Sequence, residues 1–444
     1  MDAPRTRARD LGVPGLGRGR SQLALIAVTD FTVWLGSGAI MPYLPVFLRE
    51  QAHASLTLIA LIAAAYFAGV FALSGWFGHL SDRVGRRPMI IAGTVLYAVA
   101  TALFLTTTDP VWFIVFRFVE GAGTAAVVPA AQAFIADITV DGNRGRAYGW
   151  LTSAQFCGLI AGPALAWPLY ALGGGHGRWA FSSIFVFGAA LTAAVAVVLA
   201  VLLREPQRAP GAGAASTASP PARVPLRALL TRPVVAIVVV VATAEFSMGA
   251  WEVVWSLWLR HIGAPMRVIG LTWIAFSLPM AFSFAGGRLA DRSSRYALMV
   301  AGFAILALSY VPFALTHDVR VYLVAMLVGG AGFAVGYPAK QGFLVRVAAP
   351  GRLGAVQGVE QTAMQLAALA GTLTAPPLYG LIGGDIFALA GVVSLAGLAV
   401  AVPMLRREWA CVAEAGVDGV RSCADLRRLG RQGGLATELS VEAE

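Results

Sequence analysis

The chain has 444 residues, 58% of them hydrophobic and only 13% charged, with a mean hydropathy of +0.74. A soluble domain carries about 25% charged residues, so this composition excludes a large water-exposed α/β core. The formal net charge of +10 does not mark a nucleic-acid-binding protein, because the arginines lie mostly in short connectors between apolar runs. Lys340 is the single lysine, a bias that reflects GC-rich coding rather than chemistry. Cys157, Cys411 and Cys423 have neither metal-ligand spacing nor the pattern of a disulfide framework.

The basic start leads into an apolar run from Leu23 to about Leu48. That run is too long for a cleaved signal peptide and reads as a first membrane span. Crossing about 30 Å of hydrocarbon takes about 20 helical residues, and helices satisfy their own backbone groups, as lipid demands. Twelve spans follow on this criterion: 22–48, 57–78, 89–107, 110–136, 146–170, 180–203, 233–259, 268–287, 297–315, 319–343, 354–379 and 386–404. They are called spans 1 to 12 below. With the N-terminus in the cytoplasm, the outer connectors receive only Arg49, Arg178, Arg260, Arg267 and Arg320, and all other connector arginines fall inside. This is a strong positive-inside bias, and it places both termini in the cytoplasm. Residues 204–232 are rich in Ala, Gly, Pro and Ser and read as a flexible linker. The expected organisation is a tail over 1–21, a six-helix bundle over 22–203, the linker over 204–232, a second six-helix bundle over 233–404 and a cytoplasmic tail over 405–444.

The two bundles repeat at one offset. Shifted by 209 residues, Gly78 falls on Gly287, Asp82 on Asp291, Arg83 on Arg292 and Arg86 on Arg295. Gly121, Gly123, Pro129 and Gln132 fall on Gly330, Gly332, Pro338 and Gln341, and Gly162, Pro168 and Tyr170 on Gly371, Pro377 and Tyr379. Two parallel halves of this kind suggest a transporter with a path between them.

The connector GHLSDRVGRR, at 78–87 between spans 2 and 3, resembles the signature loop of the major facilitator superfamily, G-x-x-x-D-R-x-G-R-R, through Gly78, Asp82, Arg83, Gly85, Arg86 and Arg87. The copy at 287–295 keeps Gly287, Asp291, Arg292 and Arg295 but has Ser294 in place of Gly85. Within that superfamily the chain resembles the twelve-span drug:proton antiporters. Span 4 carries Arg117 followed by glycines. Span 5 carries Gly158, Gly162 and Pro163 of the antiporter motif G-x-x-x-G-P-x-x-G-G, with Ala166 and Trp167 where the motif ends in glycines. The resemblance implies an all-α membrane protein of two six-helix bundles and no enzymatic activity. It implies rocker-switch alternating access, a small-molecule substrate, protons as the exchanged ion and no cofactor. A functional monomer in the bacterial plasma membrane is expected, among lipids with anionic headgroups. It also implies that Asp82 meets the start of span 11 when the cytoplasmic side is closed. A carboxylate at the C-terminal end of its own helix is poorly placed for that dipole and well placed for the N-terminus of another helix.

Ionisable groups inside spans are costly and mark function. Asp30 in span 1, Arg117 and Glu120 on one face of span 4, and Glu245 and Glu252 on one face of span 7 are the candidates for proton coupling. Asp30 is the first choice. The alternative for Arg117 and Glu120 is an internally satisfied structural pair, and for Glu252 a place at the outer interface. Lys340 lies near the cytoplasmic end of span 10, where it can snorkel or hold an anion. Aromatic and thioether groups suit planar apolar ligands. Met248, Trp251 and Trp255 in span 7, with Tyr43, Tyr66, Gln132, Gln155, Tyr337, Gln341 and Gln361, are the expected cavity wall. The expected function is export of a hydrophobic or cationic compound against protons. The alternatives are transport of a specific metabolite or lipid-like cargo, and a non-transporting sensor or scaffold.

Overall fold

Local signals place the helix ends. The Ser55 hydroxyl accepts from the Leu58 N–H at 3.2 Å to open span 2, and the Asp318 carboxylate accepts from the Arg320 N–H at 2.8 Å to open span 10. The computed structural model describes residues 16–138, 144–205, 226–283, 286–287, 289, 293–348 and 352–414. Among them the regular structure is helical.

Most spans are single helices: Leu56–Val84, Arg86–Leu103, Pro110–Ile138, Arg144–Leu172, Gly177–Leu202, Arg232–His261, Val319–Val347, Leu353–Ile382 and Asp385–Glu414 for spans 2 to 7 and 10 to 12. Span 12 runs past the expected boundary at 404. Prolines divide the remaining three. Span 1 is Leu16–Ile40, then a turn ahead of Pro45, then Leu44–Glu50. Span 8 is Met266–Ser277, with a tight turn at Pro279–Phe282, and span 9 is Arg295–Leu308 followed by Val311–Leu315. A ring that removes an N–H and clashes with the preceding turn accounts for these breaks. Among the described residues, nine segments are long and apolar enough to cross a membrane. Span 3 opens on two arginines, span 8 is short, and span 11 carries Gln, Glu and Thr along its length, so these three fall outside that group.

Each half repeats the same packing. Spans 1·5, 2·4, 3·4, 3·6 and 1·6 pair in the first half, and 7·11, 8·10, 9·10, 9·12 and 7·12 in the second. Small residues bring the backbones together, as helices in lipid require. A Cβ on Gly93 would lie 2.7 Å from the Gly123 carbonyl oxygen, and one on Gly302 would lie 2.6 Å from that of Gly332. Both pairs are related by the 209-residue offset. Aromatic clusters repeat as well: Phe104 stacks on Phe113 at 5.0 Å between ring centroids, and Phe313 meets Tyr322 edge-on at 5.4 Å. The halves meet through spans 2·11 and 5·8. The end carrying the 78–87 loop is called the Arg-rich end below, and the opposite one the Arg-poor end.

Candidate functional site

A cavity of about 450 Å3 lies between the halves. Trp34, Gln155, Phe156 and Leu159 wall it from the first half, and Glu245, Met280, Phe333 and Tyr337 are among its walls from the second. Of the wall residues expected from sequence, Gln155 and Tyr337 lie here, and Glu245, a candidate for proton coupling, lies beside them. Asp30 stands directly behind it, against Trp34 and Gln155, with Oδ2 buried and without a hydrogen bond. Gln341 bonds Tyr337 from the next position in space.

The other expected wall residues lie elsewhere. Trp255 is fully buried in the second half's core, where its indole N–H donates to the Thr272 hydroxyl at 2.9 Å and its ring packs on Phe313. Trp251 is buried against Trp273 and Phe276, and Met248 packs on the same core. Tyr43 is buried at the Arg-poor end, its hydroxyl beside Gly270. Gln132 and Gln361 are exposed. Trp34, Phe156 and Phe333 were not singled out from sequence. Their signal is only an aromatic on an otherwise apolar helix, which does not separate cavity from core.

Span 4 supplies the most connected charges. Arg117 donates from Nη1 to Glu120 Oε2 at 2.7 Å, and both are buried. Thr101 of span 3 donates to the other carboxylate oxygen at 2.8 Å. The Tyr66 ring lies 4.6 Å from the guanidinium carbon, and its hydroxyl donates to Thr124. Arg117 also acts electrostatically on Glu252 across the interface between the halves. In the second half, Lys340 does not snorkel. It is fully buried and pairs with Glu360 of span 11 at 2.5 Å.

Glycines of span 5 let it lie on span 1. A Cβ on Gly158 would strike the Phe31 carbonyl, and one on Gly162 would come within 2.6 Å of the Leu35 carbonyl oxygen. Pro163 faces Gly270 of span 8.

The two ends differ. At the Arg-poor end the halves are tied: Arg260 Nε donates to Glu50 Oε1 at 2.7 Å, and Leu56 reaches Gly380. At the Arg-rich end, a Cβ on Gly78, Gly287, Gly354 or Gly358 would meet nothing within 4 Å. Asp82 and Arg83 are exposed there, and Asp82 pairs with Arg86 at 2.6 Å. Arg86 also reaches Asp137 at 3.5 Å and Ser81. Gly85 takes φ +112°, and Glu205 accepts from the Arg86 and Arg87 N–H groups at 2.7 and 2.8 Å, capping span 3. In the second copy, Arg295 donates to the Gly342 carbonyl at 3.1 Å. Asp291 and Arg292 lie outside the described residues.

Comparison with known proteins places this arrangement. The sequence model of the Major Facilitator Superfamily matches residues 26–259 and 236–410. The chain is 28% identical over 409 residues to the class C tetracycline resistance protein of Escherichia coli, covering 87% of this chain and 98% of that protein. It is 30% identical over 167 residues to multidrug resistance protein 2 of Bacillus subtilis (strain 168), covering 38% and 40%. In fold it is similar to a bacterial homologue of the human lysosomal transporter Spinster, solved inward-facing and unoccupied, with a TM-score of 0.69 at 16% identity over 87% of this chain and 96% of that one.

Proposed function

The chain belongs to the Major Facilitator Superfamily, a multi-pass membrane transporter rather than an enzyme, and from that premise we propose that it exports a small hydrophobic or cationic drug-like compound across the bacterial plasma membrane in exchange for protons. The observation that carries this reading is the cavity between the halves, where Glu245 and Gln155 share the wall with Trp34, Phe156, Phe333 and Tyr337. Aromatic rings suit a flat apolar ligand, and a carboxylate suits either its positive charge or a proton. The resistance proteins among the relatives support a drug-like cargo.

Arginine counts favour the Arg-rich end as cytoplasmic. On that assignment the Glu50–Arg260 tie lies on the outer side and the glycines with nothing within 4 Å on the inner side, which supports reading this state as inward-open. Asp82, exposed here, meets the start of span 11 in the opposite state. A carboxylate that loses water favours its neutral form, and Asp30, set behind the cavity with one oxygen unbonded, is the residue proposed to carry the proton.

The test is reconstitution in liposomes with an imposed pH gradient, scanning candidate drugs and metabolites. Substrate flux with protons moving the other way is expected, and flux indifferent to the gradient sinks the coupling. Binding without flux in the same vesicles supports a sensor instead. Asp30→Asn is expected to abolish gradient-driven accumulation while the purified protein keeps its elution profile and helicity. Unchanged accumulation removes Asp30 from the mechanism.

A further inference from the structure

Lys340 is the one lysine among 33 lysine and arginine residues, and it sits where no charge is needed for topology. It is fully buried in span 10, about 10 Å from that helix's end by helix rise. Its ammonium is held by Glu360 of span 11 at 2.5 Å and lies 4.0 Å from the centre of the Tyr337 ring. Tyr337 is itself a cavity wall residue. Lys340 therefore stands one side chain behind the cavity. Glu245 of span 7, on the same wall, acts on that ammonium electrostatically. Among the described residues, the other titratable groups around them are Tyr310 at the break in span 9, on which Glu245 acts, Glu252, which acts on Glu245, and Arg295, which reaches the Gly342 carbonyl two residues on.

Lys340 thus bonds one carboxylate, Glu360, and stands behind the Tyr337 ring on the cavity wall that carries a second, Glu245. We infer that Lys340 is the switchable tie of the second half, its ammonium divided between Glu360 and Glu245, so that a change of charge at Glu245 in the cavity tightens or loosens the contact between spans 10 and 11. The inference rests on the reading of Glu245 as a cavity carboxylate of a proton-driven exporter. When Glu245 takes a proton from cavity water, its carboxylate becomes a neutral acid and Lys340 is held by Glu360 alone. When that proton returns to water, or a bound cation leaves, the carboxylate draws on Lys340 again. The lysine keeps its three protons throughout. An arginine would serve this role poorly, because its planar fork locks two-pronged onto one carboxylate, whereas an ammonium is a compact charge on a flexible stem. A purely structural ion pair has no such requirement.

The single lysine makes the test direct. Protein grown with ε-15N-lysine, without lysine in any tag, and reconstituted in lipid nanodiscs gives one side-chain nitrogen resonance. That resonance is expected to move as pH crosses the neutral range in the wild type, and to stay at its low-pH position in Glu245→Gln. A resonance independent of pH in the wild type, or one that still moves in Glu245→Gln, overturns the inference. In liposomes, Lys340→Arg is expected to bind substrate but lose gradient-driven export, and wild-type export by this variant also overturns it. The nitrogen signal needs no transport. A pH-responsive resonance in a protein that shows no gradient-driven flux counts against the exporter reading and leaves the tie standing. A silent resonance in a protein that does export counts against the tie alone.

Discussion

Arg117 and Glu120 face a different energetic problem from any surface pair. Both are buried, so removing one partner leaves an uncompensated charge, which costs about 3–5 kcal/mol. Arg117→Ala is expected to lower the unfolding midpoint in detergent sharply. The double variant Arg117→Met with Glu120→Leu is expected to recover most of that stability, because apolar groups of similar volume replace a buried pair at little cost. It is still expected to lose transport, because nothing positive then acts on Glu252 from the first half. Equal loss of stability in the single and double variants contradicts this account. The spacing of Arg117 and Glu120 on one helical face was legible in the sequence. The Thr101 hydroxyl was not, and Tyr66, expected on the cavity wall, lies with its ring on Arg117 instead. They come from spans 3 and 2, and no local pattern reports which apolar helix presents a hydroxyl to which neighbour. Trp251 and Trp255 show the same difficulty from the other side. Span 7 is buried on nearly every face, so its apolar periodicity does not say which aromatics meet the cavity and which the core.

For the helices, glycine is the deciding residue, and its role depends on position. Gly93 and Gly302 sit under the backbone of the neighbouring helix, so Gly93→Val or Gly302→Val forces the pair apart at a cost on the order of 1–3 kcal/mol. Gly78 faces open space in this state, so Gly78→Ala should leave the unfolding midpoint within about 0.5 kcal/mol of wild type. If span 11 closes on it in the opposite state, the same variant slows transport and suppresses cross-links formed only when the Arg-rich end is shut. Full transport by Gly78→Ala argues against that approach. The constant offset of 209 residues made the recurrence of Gly78 at 287 and of Gly123 at 332 readable before any fold was known, whereas the Gly93 and Gly302 that lie on Gly123 and Gly332 emerged only with the packing. The matching aromatic pairs, Phe104 with Phe113 and Phe313 with Tyr322, share the offset but stood hidden among 23 phenylalanines.

Across the whole molecule, the strength of each ion pair fits the work asked of it. The fully buried pairs, Arg117–Glu120 and Lys340–Glu360, each lie within one half and need not part when the halves rock. Glu50–Arg260 joins the halves, and its side chains are 33% and 36% exposed. A pair that wet is worth about 0–1 kcal/mol, so losing it shifts the balance between states by no more than about fivefold. That is suited to a contact remade on every cycle. Glu50→Arg is expected to widen the Arg-poor end, read as spin-label distances across spans 1 and 7. The exchange Glu50→Arg with Arg260→Glu is expected to restore the narrow distance, and no recovery in the exchange rules out the ion pair as the cause. Arginine counting placed Arg260 at that end, and also Arg49, which Glu50 adjoins in the chain. The pairing of Glu50 with Arg260, across 210 positions, depends on how the halves lean together.

Glu205 has a consequence for how the chain can be divided. It caps the two leading amides of span 3 and lies at the entrance of the linker, so the acceptor for both amides that follow the Gly85 turn precedes residue 206. Two polypeptides encoding 1–205 and 206–444, made together in one cell, would leave the cap of span 3 within the first. A division placed a few residues earlier would leave Gly85 turned toward empty space and two amides without an acceptor. Glu205 thus belongs with the first half, although its neighbours in sequence have the composition of a linker.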